Sequence, residues 1–75
     1  MGRETSQKLT RRQLDVLELI ADGFQEKEIA THLGIALGTV QAHKVKIYDK
    51  YRCHTAARAV VIGLKRKELD LIDIR

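Results

Sequence analysis

The chain has 75 residues, of which 14 are Lys or Arg and 10 are Asp or Glu, so its net charge is +4. A chain this short forms one domain with a thin core, and we do not expect a deep pocket for a small-molecule substrate. No stretch approaches the roughly 18 consecutive apolar residues of a membrane span, and no signal peptide is visible. With a single cysteine, which cannot form an internal disulfide, these features predict a cytoplasmic protein without a membrane partner.

Positive charge is concentrated in two segments. Residues 1–12 contain four basic residues and one acidic residue, and residues 35–64 contain five basic residues and one acidic residue. Residues 13–34, in contrast, contain one basic residue and five acidic residues. A polyanion can therefore contact both basic segments while the acidic middle stays in solvent. Two Tyr and one Phe are too few for the stacking platforms of single-stranded nucleic acids, which favours double-stranded DNA.

The chain begins with a polar segment, residues 1–8, which we interpret as a flexible arm. Thr10 follows as a helix N-cap, and Gln13 three residues later completes a capping box. A first helix is predicted to begin at Arg11 and to end at Gly23.

Two apolar stripes of helical period then lie on either side of a turn at Gly34. They predict helices over residues 26–33 and 37–51. Gly34 can adopt the positive φ that ends the first of these helices, and Ile35 can fill the corner behind it. This order is typical of a helix-turn-helix.

The longer helix of this pair carries a second surface, opposite its apolar stripe, that suits the major groove of DNA. The candidate base-facing residues are Gln41, Ala42 and Val45. The Gln41 amide offers one donor and one acceptor, which match the edge of adenine, and the two apolar side chains match the methyl group of thymine. The sequence therefore predicts a DNA half-site with an A·T-rich centre.

Cationic and hydrogen-bonding side chains around that surface are candidates for phosphate contacts, which carry affinity but little sequence information. They are Arg12, Lys27, Thr39, His43, Lys46 and Lys50. Two of them have alternative interpretations. Arg12 could instead hold the first helix to the third, and His43 could make a structural hydrogen bond inside the domain.

A fourth helix is predicted from the N-cap Thr55 to Lys65 or Lys67. Gly63 inside this helix indicates a close contact with another helix. If the small residues of this helix face the core, the opposite side forms a two-fold dimer contact that places two groove-binding helices about 34 Å apart. The candidate dimer residues are Arg58, Val61, Ile62 and Lys65.

The last residues, 68–75, fit a frayed helix end, a short extended segment or disorder equally well. The packed domain is accordingly predicted to span residues 9–67, with residues 68–75 as a tail.

Neither catalysis nor metal binding is indicated. The three His and the one Cys, which are the candidate zinc ligands, lack the spacing of a zinc site. The chain also has no Gly-rich phosphate loop. We expect no cofactor and no enzyme activity.

The order and spacing of these residues resemble the LuxR-type (GerE-like) helix-turn-helix domain. The matching residues are Leu9-Thr10, Arg12, Val16-Leu17, Ile20-Ala21, Gly23, Lys27-Glu28-Ile29-Ala30, Leu33, Ile35, Thr39-Val40, His43, Ile47, Lys50 and Ala59-Val60. The resemblance implies an all-α, four-helix domain whose third helix enters the major groove and whose fourth mediates dimer contact. The short chain leaves no room for a receiver or ligand-sensing domain, so we expect a stand-alone member.

Several positions depart from the family pattern. Ala36 replaces a Ser that caps the third helix, and Gln41 stands where Lys or Arg is common. A Leu-Gly pair is replaced by Tyr51-Arg52, and Ala56 replaces an Arg. These changes bear on DNA sequence preference and on the last turn of the third helix, not on the fold. Cys53 replaces a Val, which implies a small buried hydrophobic residue.

Two functions are compatible with these features. The first is a sequence-specific transcriptional regulator that binds duplex DNA as a homodimer, with RNA polymerase as a further candidate partner. The alternative is a small protein-interaction module that binds another regulator or RNA polymerase through the same scaffold, with Val45 as a partner contact. Salt-sensitive affinity for duplex DNA distinguishes the two.

Overall fold

The computed structural model describes residues 7–70, and the regular structure in that range consists of four helices. They are α1 (Arg11–Ala21), α2 (Glu26–Leu33), α3 (Leu37–Tyr51) and α4 (Ala56–Lys65). The predicted all-α, four-helix architecture is confirmed. In this part of the chain no helix is both long and apolar enough to cross a membrane.

Local hydrogen bonds define where the helices begin. Thr10 and Gln13 form the predicted capping box. The backbone N–H of Gln13 donates to Thr10 Oγ1 at 3.1 Å, and the backbone N–H of Thr10 donates to the side-chain Oε1 of Gln13 at 3.0 Å. At the start of α4, the Thr55 side chain makes a single cap hydrogen bond, accepting from the backbone amide of Arg58 at 3.1 Å. Ala36, the N-cap of α3, has the extended backbone of a cap but makes no side-chain cap hydrogen bond.

All four helices end in a left-handed residue enclosed by two backbone hydrogen bonds, the arrangement of a Schellman motif. In α2, for example, the amide of Ile35 donates to the carbonyl of Ala30 at 3.0 Å. Glycine takes the left-handed position after α1 and α2, as predicted for Gly23 and Gly34. After α3 and α4 the position is held by Arg52 (φ 54°) and Lys67 (φ 62°).

The core lies around α3, which packs against each of the other three helices. Val40 and Ile47 of α3 are fully buried, together with Val16 and Leu17 of α1 and Ile29 of α2. Packing on three sides leaves one long face of α3 in solvent. The apolar stripes predicted for α2 and α3 therefore do face each other.

Gly63 lies at the closest approach between α4 and the rest of the core. A Cβ atom at this position would lie 3.2 Å from Leu17 Cδ2 and 3.2 Å from Leu69 Cβ. This geometry confirms the predicted close helix contact.

The prediction that the packed domain ends at residue 67 is wrong. Leu69 is buried in the core, and Glu68 accepts hydrogen bonds from the hydroxyl of Tyr51 at 2.7 Å and the amide of Leu9 at 3.3 Å. Arg66 forms an ion pair with Glu68 at 3.3 Å and lies over the Tyr51 ring, 5.0 Å from its centroid. The sequence gives no sign of this cluster because it joins segments far apart in the chain.

Part of the predicted flexible arm is also attached to the domain. The carbonyl of Gln7 accepts from Arg66 Nη2 at 2.7 Å, and the carbonyl of Lys8 accepts from Lys50 Nζ at 3.0 Å. The rest of the arm, residues 1–6, and the end of the predicted tail, residues 71–75, lie outside the described residues.

Candidate nucleic-acid interface

The solvent-facing side of α3 is the candidate site. Its residues Gln41, Ala42, Val45 and Lys46 are exposed, as is Asp49 near its end. Val45 is 64% exposed, so the fold makes little use of this apolar side chain. The face therefore presents an amide, methyl groups and a cation on a rigid helix, as the sequence predicted.

Along the edge of this face nearest α2, the first residue of α2 binds two α3 side chains. Glu26 Oε1 accepts from Gln41 Nε2 at 3.1 Å, and Glu26 Oε2 accepts from Lys44 Nζ at 2.8 Å. The hydrogen bonds from Lys44 and then Gln41 lower the pKa of Glu26, although partial burial opposes them. Burial acts to lower the pKa of Lys44, but the hydrogen bond to Glu26 helps to outweigh it and the pKa is raised. Both groups are thus held in their charged forms.

Sequence reasoning missed this cluster. The local sequence indicates for Glu26 only the role of an acidic residue in the first turn of α2, where it complements the positive end of the helix. Its partners are 15 and 18 residues away, and no local pattern joins them.

The opposite edge of the α3 face carries four of the candidate phosphate contacts. Thr39, His43, Lys46 and Lys50 follow one another at helical spacing and form one strip. Thr39 and Lys46 are exposed, and His43 is half-buried. Both interpretations of His43 stay predictions.

Lys50 has a structural role that the sequence did not indicate. Its ammonium group donates to Gln13 Oε1 at 2.9 Å as well as to the carbonyl of Lys8. It thereby ties α3 to the capping box of α1. Two of its three N–H groups are used in this way, and its contact with phosphate stays a prediction.

The two remaining phosphate candidates lie on other helices. Arg12 pairs with Asp15 of its own helix at 3.4 Å, so within residues 7–70 its ion pair does not join α1 to α3. Lys27 is exposed on the outer side of α2, where it lines a shallow cleft of about 400 Å³ with Phe24, Thr31 and other residues. Neither is brought onto the α3 face itself by a hydrogen bond, and their phosphate contacts stay predictions.

The candidate dimer surface on α4 needs one correction. Arg58, Val61 and Lys65 are exposed, with Val61 at 44%, but Ile62 is half-buried and packs against the core. At 100° per residue, Ile62 and Val60 flank the buried Ala59 and Gly63 stripe on either side, so both are partly covered.

The second exposed apolar residue of α4 is therefore not Ile62 but Leu64, which is 39% exposed. The sequence pattern did not indicate that Leu64 rather than Ile62 is exposed, because Ile62 lies near the boundary of the core-facing side.

Cys53 is buried, and burial raises the pKa of its thiol, as expected for a small hydrophobic side chain rather than a nucleophile. Among residues 7–70, no cluster of three or more His, Cys, Asp or Glu side chains could hold a metal ion.

Residues 7–62 match the family model described as bacterial regulatory proteins, luxR family. Oxygen regulatory protein NreC of Staphylococcus carnosus is 42% identical over 62 residues, which cover 83% of this chain and 29% of that protein. NreC of Staphylococcus haemolyticus is 40% identical over the same length.

Among solved structures, the fold is similar to that of the response regulator ChrA of a heme-sensing two-component system. The TM-score is 0.78 and the identity 26%, over 81% of this chain and 30% of ChrA. The chain thus spans less than a third of the length of these relatives. The expected stand-alone character stays a prediction.

Proposed function

Because this chain belongs to the luxR family of bacterial regulatory proteins, we propose that it is a transcriptional regulator that binds specific sequences of double-stranded DNA in the bacterial cytoplasm. It acts as a homodimer, with α3 of each copy in the major groove. It has no catalytic role and needs no cofactor. RNA polymerase is a candidate partner at the promoter.

The exposed face of α3 carries this proposal. A rigid helix of 15 residues, packed on three sides, presents a face on which the fold leaves Val45 in solvent. A major groove accepts one α-helix and offers both hydrogen-bonding edges and thymine methyl groups. Gln41, Ala42 and Val45 supply the matching groups.

Phosphate contacts position the helix along the groove edges. The strip on the far edge of α3, from Thr39 to Lys50, meets one DNA strand, while Arg12 and Lys27 extend the basic surface from the neighbouring helices. With about 4 phosphate contacts in each subunit, a dimer has about 8, and the logarithm of affinity against the logarithm of salt concentration has a slope near −7.

The test is the affinity for a duplex measured by fluorescence anisotropy between about 50 and 200 mM salt. Lys46→Gln should make the slope shallower by about 2 in a dimer, since each subunit loses one phosphate contact. Arg11→Gln removes the same charge from α1 at a residue that pairs with Asp15 and Glu18 and is not one of the proposed contacts, and it should leave the slope unchanged. A slope shallower than about −2 for the natural protein would support the protein-interaction alternative, with Val45 as its contact.

Sequence reading by Gln41 is tested separately. Replacing A·T by G·C beneath Gln41 should cost about 1 to 3 kcal/mol of binding free energy. Gln41→Ala should remove this preference, and Gln41→Arg should shift it towards guanine. If Gln41→Arg binds all duplexes more tightly without a shift, residue 41 contacts the DNA backbone instead.

A further inference from the structure

The contact between Glu26 and Gln41 restricts the one side chain proposed to read a base by hydrogen bonding. An ionised carboxylate can only accept hydrogen bonds, so the Gln41 amide must turn its nitrogen, not its oxygen, towards Glu26. An unrestrained glutamine amide can present either atom on either side. Glu26 therefore selects one orientation of the Gln41 amide.

The selected orientation keeps the groups that adenine needs. The amide nitrogen carries two hydrogens, and Glu26 uses one of them. The second N–H and the carbonyl oxygen remain for the N7 acceptor and N6 donor of adenine. Guanine offers two acceptors at the same edge. The carbonyl oxygen of an amide held in this way faces one of these acceptors, and two acceptors cannot form a hydrogen bond with each other.

Lys44 explains how an acidic residue is tolerated beside a polyanion. Its ammonium group lies 2.8 Å from Glu26 Oε2, and its side chain is only 21% exposed. The ion pair offsets the negative charge of Glu26 close to the phosphates. Lys44 is thus occupied with Glu26 and is not one of the phosphate contacts.

We propose that Glu26 is a positioning residue for DNA reading: it holds the Gln41 amide in the orientation that favours adenine over guanine at one base pair. The inference rests on the proposed function. A purely structural tie between α2 and α3 would use the same contacts, and it is distinguished by base preference rather than by stability.

The decisive variant is Glu26→Asp, which keeps the charge at the start of α2 but shortens the side chain by one methylene group. We expect its mean affinity over all duplexes to stay within about twofold, and its preference for A·T over G·C beneath residue 41 to fall about 3- to 10-fold, because Gln41 is then ordered only on binding. Affinities are measured by anisotropy for the full chain with duplexes that differ at that base pair only.

Glu26→Gln supplies a second measurement, since an amide at position 26 can accept or donate and no longer selects the orientation of Gln41. It should bind all duplexes more tightly, through the loss of an acidic group, and should lose the same preference. Asp49→Asn is its matched control: it removes one negative charge from the exposed face of α3 and should raise affinity without changing the preference.

A double variant, Glu26→Asp with Gln41→Ala, should show no smaller preference between A·T and G·C beneath residue 41 than Gln41→Ala alone. If Glu26→Asp and Glu26→Gln keep the full preference while Gln41→Ala loses it, the inference is wrong and the proposed function stands. If the natural protein shows no salt-sensitive affinity for any duplex, the proposed function and this inference both fail.

Discussion

Within residues 7–70, two residues other than glycine adopt a backbone conformation that glycine accepts with less strain. Arg52 (φ 54°, ψ 51°) and Lys67 (φ 62°) hold the left-handed positions after α3 and α4. A residue with a Cβ atom adopts this conformation at a cost of roughly 1 to 2 kcal/mol. At Arg52 the cost arises where the LuxR-type pattern has the Gly of a Leu-Gly pair.

Arg52→Gly should therefore stabilise the protein by about 1 kcal/mol, after allowance for the greater freedom of glycine in the unfolded chain. The free energy of unfolding is measured by urea denaturation. Lys46→Gly, which places glycine in the middle of α3, should instead cost about 1 kcal/mol. Equal effects at the two positions would mean that strain at residue 52 is negligible.

Tyr51 is the central residue of the cluster that joins the two ends of the domain. Its ring is buried, its hydroxyl donates to Glu68 at 2.7 Å, and Arg66 lies over its face. Burial, followed by the hydrogen bond to Glu68, raises the pKa of Tyr51 well above its ordinary value. The folded protein thus favours the protonated phenol.

The sign of the resulting pH dependence is definite. Below about pH 10 the phenol is protonated in both states and the stabilisation is fully present. Above that pH the unfolded chain loses the proton and the folded protein keeps it, so stability should fall by about 1.4 kcal/mol for each pH unit.

Tyr51→Phe should remove this alkaline component and should cost about 2 kcal/mol at neutral pH through the lost hydrogen bond to a charged group. The difference in unfolding free energy between the natural protein and the variant, followed from pH 8 to 11, isolates the contribution of Tyr51 from that of all groups the two proteins share. A constant difference over this range would contradict the raised pKa.

At the scale of the helices, substitutions at Gly38 and Gly63 test whether close packing fixes the position of α4. Both lie inside helices, where alanine is preferred by about 0.5 to 1 kcal/mol. Around Gly38, near the start of α3, an added Cβ atom meets nothing within 4 Å, whereas at Gly63 it lies 3.2 Å from both Leu17 and Leu69. The two positions thus separate helix propensity from packing.

Gly38→Ala should stabilise the protein by about 0.5 to 1 kcal/mol. Gly63→Ala should destabilise it by about 1 to 3 kcal/mol, because α4 or Leu69 must move to admit the methyl group. Thermal unfolding of the two variants provides the comparison. Stabilisation by both would show that α4 can shift at little cost.

At the scale of the whole molecule, α4 presents the proposed dimer surface on the outside of the domain. Val61 and Leu64 are 44% and 39% exposed, and the neighbouring charges Arg58 and Lys65 lie at its rim. A two-fold contact through this surface would set two copies of α3 about 34 Å apart, one turn of DNA.

We predict that Val61→Glu and Leu64→Glu, singly or together, weaken self-association in sedimentation and weaken operator binding in parallel. Val45→Glu is the control, since it places the same charge on an exposed apolar position of α3: it should abolish DNA binding and leave self-association intact. Ile62 is unsuitable for this test because it packs against the core, so a charge there would also destabilise the fold. Unchanged self-association in the α4 variants would place the dimer contact elsewhere.

The sequence by itself determined the elements of this protein. The bounds of the helices follow from caps and turns whose partners lie within a few residues, such as Thr10 with Gln13 and the left-handed Gly34. The periodicity of apolar residues indicated which side of α3 is buried, and hence that Gln41, Ala42 and Val45 face outwards. These features are local, so a short stretch of sequence contains all the groups that produce them.

Tertiary structure alone decided how distant side chains pair. Gln41 with Glu26, Lys50 with Gln13 and Tyr51 with Glu68 are separated by 15, 37 and 17 residues. Such pairs depend on how the helices cross and how closely they approach, which no local pattern of residues encodes. The same reason explains why the sequence pattern predicted Ile62 in solvent and Leu69 in a tail. Ile62 packs against the core and Leu69 lies beside Gly63, and both are covered only once α4 has packed against α1 and α3.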